Sequence, residues 1–231
     1  MLLFSLECSA AAASAAIYRD EKLLGEEFLN VPQTHSVTLL PMAKSLLEHT
    51  GISPAQIVYY AVSRGPGSFT GLRIGIAAIK GLAFPDDTPC VGVSTPEAIA
   101  YGLLGFEGTV IPMMDARCGQ VYTALFQGKD GRLTRLSEDE ALPLSELKEK
   151  LKSCTGPLWL CGDGAHLGLA AWGEELPVRM APAHLCCQRA SAVGLAAMQH
   201  LGEAVSPAAL VPCYLRPANA MTLAERQKKA E

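Results

Sequence analysis

The stretch SRGPGSFTGLRIGIAAIKGLAF, Ser63 to Phe84, runs from the end of an apolar segment through a glycine-rich turn into a helical pattern. Gly65, Gly67 and Gly71 give the spacing G-x-G-x-x-x-G. This is neither the dinucleotide fingerprint nor a Walker loop, which needs Lys and Ser or Thr directly after its last glycine. Pro66 removes one N–H that a phosphate would use. What remains is a tight strand-to-helix turn with Ser68 or Thr70 as N-cap. The helix shows two faces. Leu72, Ile76, Ile79 and Ala83 form an apolar stripe suited to a sheet, and Gly71, Gly75 and Ala78 form a stripe with almost no side chains. Glycine inside a helix costs roughly 1 kcal/mol relative to alanine, so the second stripe predicts close approach by a neighbour. That neighbour is either the helix of this chain that contains Leu39 and Leu46 or a helix of a partner subunit.

Outward from this stretch, the pattern is regular. LLFSLEC, SAAIYR and KLLGEEFL read as an antiparallel meander, and THSVTLLPMAKSLLEHTG reads as a helix closed by Gly51 and bent or shifted by Pro41. Strand IVYYAVS, the quoted turn and helix, and strand CVGV follow. The second half repeats the scheme. TVIPMMD and QVYTALFQ flank the turn ARCG, a third strand is expected near Leu133 to Leu136, LSELKEKLK is an amphipathic helix, and PLWLCGDGAHLGLAAW passes from strand through G-D-G into helix. Glu7 and Asp115 close corresponding first strands. A strand-strand-strand-helix-strand-helix unit used twice predicts two α/β lobes, each a mixed sheet flanked by helices, around a cleft. That is the architecture of the actin-like ATPases. The expected division is residues 1–105, 106–217 and a polar tail, 218–231.

Composition limits the function classes. The chain has 231 residues, 49% hydrophobic and 18% charged, with formal net charge −4. It is too apolar for disorder and carries no broad basic surface, so RNA contact is expected mainly through a complex. No apolar run reaches the ~18 residues of a membrane span. The opening MLLFSLECSAAAASAA imitates a secretory signal, but it lacks an early Lys or Arg and Glu7 interrupts it; a buried first strand is expected. The eight cysteines show no C-x-x-C spacing and read as reduced thiols of a cytoplasmic protein.

GPGSFTGLRIGIAAIKGLAF, with QTHSVTLLPMAKSLL before it, MDARCGQVY in the middle and YLRP near the end, resembles the TsaB (YeaZ) family over most of the chain. The resemblance implies the actin-like fold and a non-catalytic scaffold and activating role in forming N6-threonylcarbamoyladenosine in tRNA, beside the anticodon. It implies pairing with a TsaD-type catalytic paralogue and recruitment of a TsaE-type ATPase, or a homodimer. The helices corresponding to His35–Leu47 and Thr70–Ala83 would form the interface. The expected contact residues are His35, Leu39, Leu40, Arg64, Ser68, Phe69, Thr70, Gly71, Leu72, Arg73, Gly75 and Ala78. No cofactor is required, with ATP or ADP a candidate at a shared subunit interface. The catalytic paralogue carries two metal-binding histidines where this chain has Thr95 and Ile99, leaving only Glu97 of that run, and no metal site is expected. The family's Asp-Thr after the first strand is Glu7-Cys8 here.

Two enzyme readings compete. A stand-alone actin-like ATPase or phosphotransferase would use Glu7, Asp115 and Arg117 as a nucleotide cleft, against a structural reading in which the acids cap turns. A protease-like hydrolase is disfavoured because no G-x-S-x-G elbow is present and no histidine is tied by spacing to a nucleophile.

Overall fold

The computed structural model describes residues 1–216; the tail expected from 218 lies outside them. The chain begins with β1 (Leu2–Glu7), β2 (Ala13–Arg19) and β3 (Lys22–Leu29), then α1 (His35–Thr50), β4 (Tyr59–Gly65), α2 (Phe69–Ala83), β5 (Cys90–Ser94) and α3 (Thr95–Tyr101). The strands lie in the order β3-β2-β1-β4-β5, with the first three antiparallel and β4 and β5 parallel to β1. β1 is buried on both faces because helices cover both. Its side chains alternate accordingly. Phe4 and Leu6 join Tyr60 and Val62 against Leu39, Met42, Leu46, Ile76 and Ile79 of α1 and α2, while Leu3 and Ala61 face the opposite side.

The second half forms β6 (Gly108–Arg117), β7 (Gln120–Thr123), β8 (Phe126–Lys129), β9 (Arg132–Arg135), β10 (Glu140–Pro143), α4 (Leu144–Leu151), β11 (Leu158–Cys161), α5 (Ala165–Trp172), β12 (Val178–Met180) and α6 (Ala190–Ala197). Its main order, β10-β7-β6-β11-β12, repeats the first sheet, again with three antiparallel strands and two parallel additions. This is the two-lobed α/β actin-like fold. QVYTALFQ is not one strand but breaks into β7 and β8, and β8–β9 is an extra hairpin on the early part of β6. The third strand of the repeat is therefore β10, not the segment near Leu133 to Leu136.

The expected boundary of the second lobe also needs correction. α6 leaves that lobe and covers the free face of the first sheet, with Ala190, Val193 and Ala197 against Leu3, Ala16 and Tyr18. Small side chains allow this approach: a Cβ on Gly194 would lie 2.7 Å from the Tyr18 ring. Cys90 then exchanges backbone hydrogen bonds with Val205, and Leu210 enters the α1–α2 core. Residues 190–214 thus belong by packing to the first lobe, and the chain crosses between lobes twice. Among the described residues no helix is long and apolar enough to cross a membrane.

Candidate functional site

α1 and α2 lie on the same face of the first sheet, and each keeps a second face turned outward. On α1 the buried set is Thr38, Leu39, Met42, Ala43, Leu46 and Leu47. Val37, Leu40, Pro41 and Lys44 are exposed, Val37 at 65% and Leu40 at 52%. On α2 the exposed or half-buried positions Thr70, Ile74, Ala77 and Gly81 lead to Phe84, which is 78% exposed. Steps of four, three, four and three residues make a straight seam of the kind that packs helix on helix. Beside it, a groove of about 950 Å³ is lined by Leu40, Pro41, Lys44, Leu47, Ile52 and Leu82. Large apolar side chains gathered on one exposed face mark an interaction surface.

Of the expected contact residues, Leu40, Thr70 and Arg73 lie exposed on this helix pair. Ser68 is the N-cap, accepting the Gly71 N–H at 3.2 Å. His35 opens α1 with Nε2 2.7 Å from the Ala10 carbonyl oxygen, which ties the helix start to the β1–β2 turn. Phe69 is half-buried under Tyr214, and Arg64 is exposed beside the returning C-terminal segment, whose Cys213 N–H donates to its carbonyl. Leu39, Gly71, Leu72, Gly75 and Ala78 are buried inside their own chain and form no surface. For the two glycines the neighbour is neither a partner nor α1 but the end of β1. A Cβ on Gly71 would stand 2.1 Å from the Cys8 carbonyl oxygen, and one on Gly75 would stand 2.7 Å from Cys8 Sγ. The outward seam is the other side of the helix.

The inter-lobe cleft, about 470 Å³, is lined by Ser9, Ala10, Gly67, Ser68, Asp115, Arg117 and Asp163 among others. Glu7 does not face it. Its buried carboxylate accepts the Ser9 N–H and the Ser63 hydroxyl, and burial, only partly offset by those bonds, pushes its pKa up. This is the turn-capping role, and it removes Glu7 from any cleft chemistry. Asp115 does line the cleft. It accepts the Arg117 N–H at 2.7 Å and pairs with the Arg117 guanidinium at 3.1 Å. Asp163 was not singled out by sequence, although G-D-G after β11 held the signal. It accepts from Gln188 Nε2 at 2.6 Å, and burial, with Asp115 adding to it, raises its pKa. Two carboxylates, Asp115 and Asp163, thus line the cleft beside one guanidinium that is already paired with Asp115, Pro66 has no N–H, and the Ser68 N–H is engaged by the Ser9 carbonyl at 2.7 Å.

Glu97 has a structural task. One oxygen lies 2.9 Å from His200 Nε2, and the other accepts from Arg135, which also pairs with Asp139. Burial opposes protonation of His200, but the Glu97 and Glu203 carboxylates outweigh it and hold its pKa above the ordinary histidine value. Thr95 and Ile99 are buried, and Ile99 has no donor atom. The Ser45, His49 and Glu27 side chains lie near one another at the surface, but both neighbours approach the same nitrogen, Nδ1, so no relay runs through the ring.

The family model described as TsaD, tRNA N6-adenosine threonylcarbamoyltransferase, matches residues 29–154. The tRNA threonylcarbamoyladenosine biosynthesis protein TsaB of Bacillus subtilis (strain 168) is 31% identical over 220 residues, which cover 95% of this chain and 96% of that protein. The chain belongs to the TsaB family. The TsaB of Escherichia coli (strain K12) is 34% identical over 71% of this chain and 72% of its own length. In three dimensions this TsaB-family chain superposes on YeaZ from Pseudomonas aeruginosa with a TM-score of 0.77 at 27% identity, covering 93% of this chain and 99% of that one. A further Pseudomonas aeruginosa structure, described as an uncharacterized protein with similarity to peptidase YeaZ, gives 0.80 at 28% identity, with the same coverage.

Proposed function

We propose that the chain is the non-catalytic subunit of the complex that forms N6-threonylcarbamoyladenosine in tRNA, seating a TsaD-type transferase on the outward face of α1 and α2. Family membership supports the reaction, and the exposed seam Thr70, Ile74, Ala77, Gly81 and Phe84 beside Val37 and Leu40 carries the seat. Small residues at Ala77 and Gly81 let a partner helix come close, and Leu40 and Phe84 give it apolar anchors. The subunit supplies shape rather than chemistry, holding its paralogue's cleft in a productive geometry. A TsaE-type ATPase joins at the surface the pair creates, and any ATP or ADP binds there rather than in this chain's own cleft. The absence of imidazole at positions 95 and 99 supports a role without catalysis of its own.

The test is reconstitution. With the catalytic paralogue from the same cell, the chain should form a heterodimer in light-scattering chromatography, and the paralogue's transferase activity on tRNA should depend on it. A homodimer that persists in the mixture would favour a self-associating protein without a synthase partner, and turnover of ATP by the pure chain would favour the stand-alone enzyme reading.

A further inference from the structure

Three arginines gather where the C-terminal segment rejoins the glycine turn. The Arg73 guanidinium lies 3.8 Å over the centre of the Phe69 ring, and its Nε donates to the Tyr214 hydroxyl at 3.0 Å. Tyr214 stacks on Phe69, with ring centres 4.8 Å apart, and is 37% exposed. Two residues on, Arg216 donates to the Ala116 carbonyl of the other lobe at 3.0 Å. Arg64 is exposed, and its carbonyl anchors the same segment through Cys213. Among the described residues none of the three forms an ion pair, whereas the half-buried Arg135 and Arg189 both do.

The helix start beside them is polarised in the same sense. α2 has no acid in its first turn, and its Phe69 and Thr70 N–H groups have no acceptor among the described residues. Among the described residues the three guanidinium groups have no carboxylate partner, which leaves them open to an external anion. A guanidinium held against stacked rings, as Arg73 is, with N–H donors left free, suits a phosphodiester backbone with a base against the exposed ring.

We propose that Arg64, Arg73 and Arg216, which border the C-terminal segment where it rejoins the glycine turn, form a contact for the RNA backbone, through which this subunit touches the tRNA directly. The contact rests on the proposed function for its ligand, and it lies next to the outward seam, so one tRNA can reach both subunits.

The test measures binding of a fluorescent, unmodified full-length tRNA transcript by anisotropy over a range of salt, to the full chain alone and in its complex with the paralogue. Arg64→Ala/Arg216→Ala is the informative variant, since neither residue lies on the seam. It should bind about tenfold more weakly and lower the salt slope by about two, while the heterodimer mass is unchanged. Arg64→Lys/Arg216→Lys, which keeps the charges, should retain most of the slope and controls for folding. Unchanged affinity and slope would overturn the contact, as would a wild-type complex that binds no tRNA through this chain. Loss of the heterodimer in the alanine variant would overturn it too, by assigning the arginines to carboxylates of the partner. Failure of the wild-type proteins to form any complex would count against the proposed function instead, and the chain-alone titration would still decide the contact.

Discussion

The carbonyl oxygen of Cys8 occupies the place where a Cβ on Gly71 would stand, only 2.1 Å from it. The first turn of α2 is thereby pressed onto the end of β1, and the Ser68 N–H donates to the Ser9 carbonyl at 2.7 Å beside it. Gly81, ten residues further along the same helix, has nothing within 4 Å of the corresponding position.

The two glycines should therefore respond in opposite ways to alanine. Gly71→Ala forces backbone apart and is expected to lose at least ~2 kcal/mol. Gly81→Ala is expected to gain ~0.5–1 kcal/mol from helix propensity. Urea unfolding of the two variants beside wild type measures both.

Glu7 is ionisable and fully buried, and its raised pKa carries a sign. The folded state holds its proton to higher pH than the unfolded state does. The stability this gives is complete below the unfolded pKa and is lost as pH rises through the folded one. Glu7→Gln removes that dependence while still meeting Ser9 and Ser63. Its urea midpoint should gain on wild type as pH is raised from about 4 towards 8. Glu7→Ala leaves both partners unpaired and should cost ~1–3 kcal/mol.

His200 follows the same rule for a base. Its pKa is raised, so its ion pairs with Glu97 and Glu203 stabilise the fold fully below the ordinary histidine pKa and fade as pH climbs through the raised value. His200→Gln should be clearly less stable than wild type at pH 6 and nearly equal at pH 9, by urea midpoints at the two values. Arg135 sits on the same Glu97 carboxylate from the other lobe, so this network also braces the lobes.

The architecture was legible because both halves carry the same alternation of strand and helix. Glu7 ends β1, whereas Asp115 stands two residues before the end of β6, and only Asp115 reaches the cleft. Gly71 and Gly75 correctly signalled close approach, but a glycine says only that something comes near, not what. The neighbour is a strand end 63 residues away in sequence, joined by the Cys8 Sγ to Gly71 carbonyl contact. The seam that does face outward, with Ile74, Ala77 and Gly81, is marked by heptad-like spacing rather than by glycine content. The return of α6 left no periodic signal, because a helix of Ala190, Ala192, Val193 and Ala196 is apolar nearly all round and fits either lobe. G-D-G marks the turn that carries Asp163, but not its partner, Gln188, which comes from a distant turn.

The measurement that bears most directly on the scaffold role is the light-scattering mass of the chain mixed with its catalytic paralogue, for wild type, Gly81→Trp and Leu40→Asp. The account predicts a heterodimer for wild type and separate, fully folded proteins for both variants, with unfolding temperatures within a few degrees of wild type. A heterodimer that survives both substitutions would contradict it and place the partner elsewhere on the molecule.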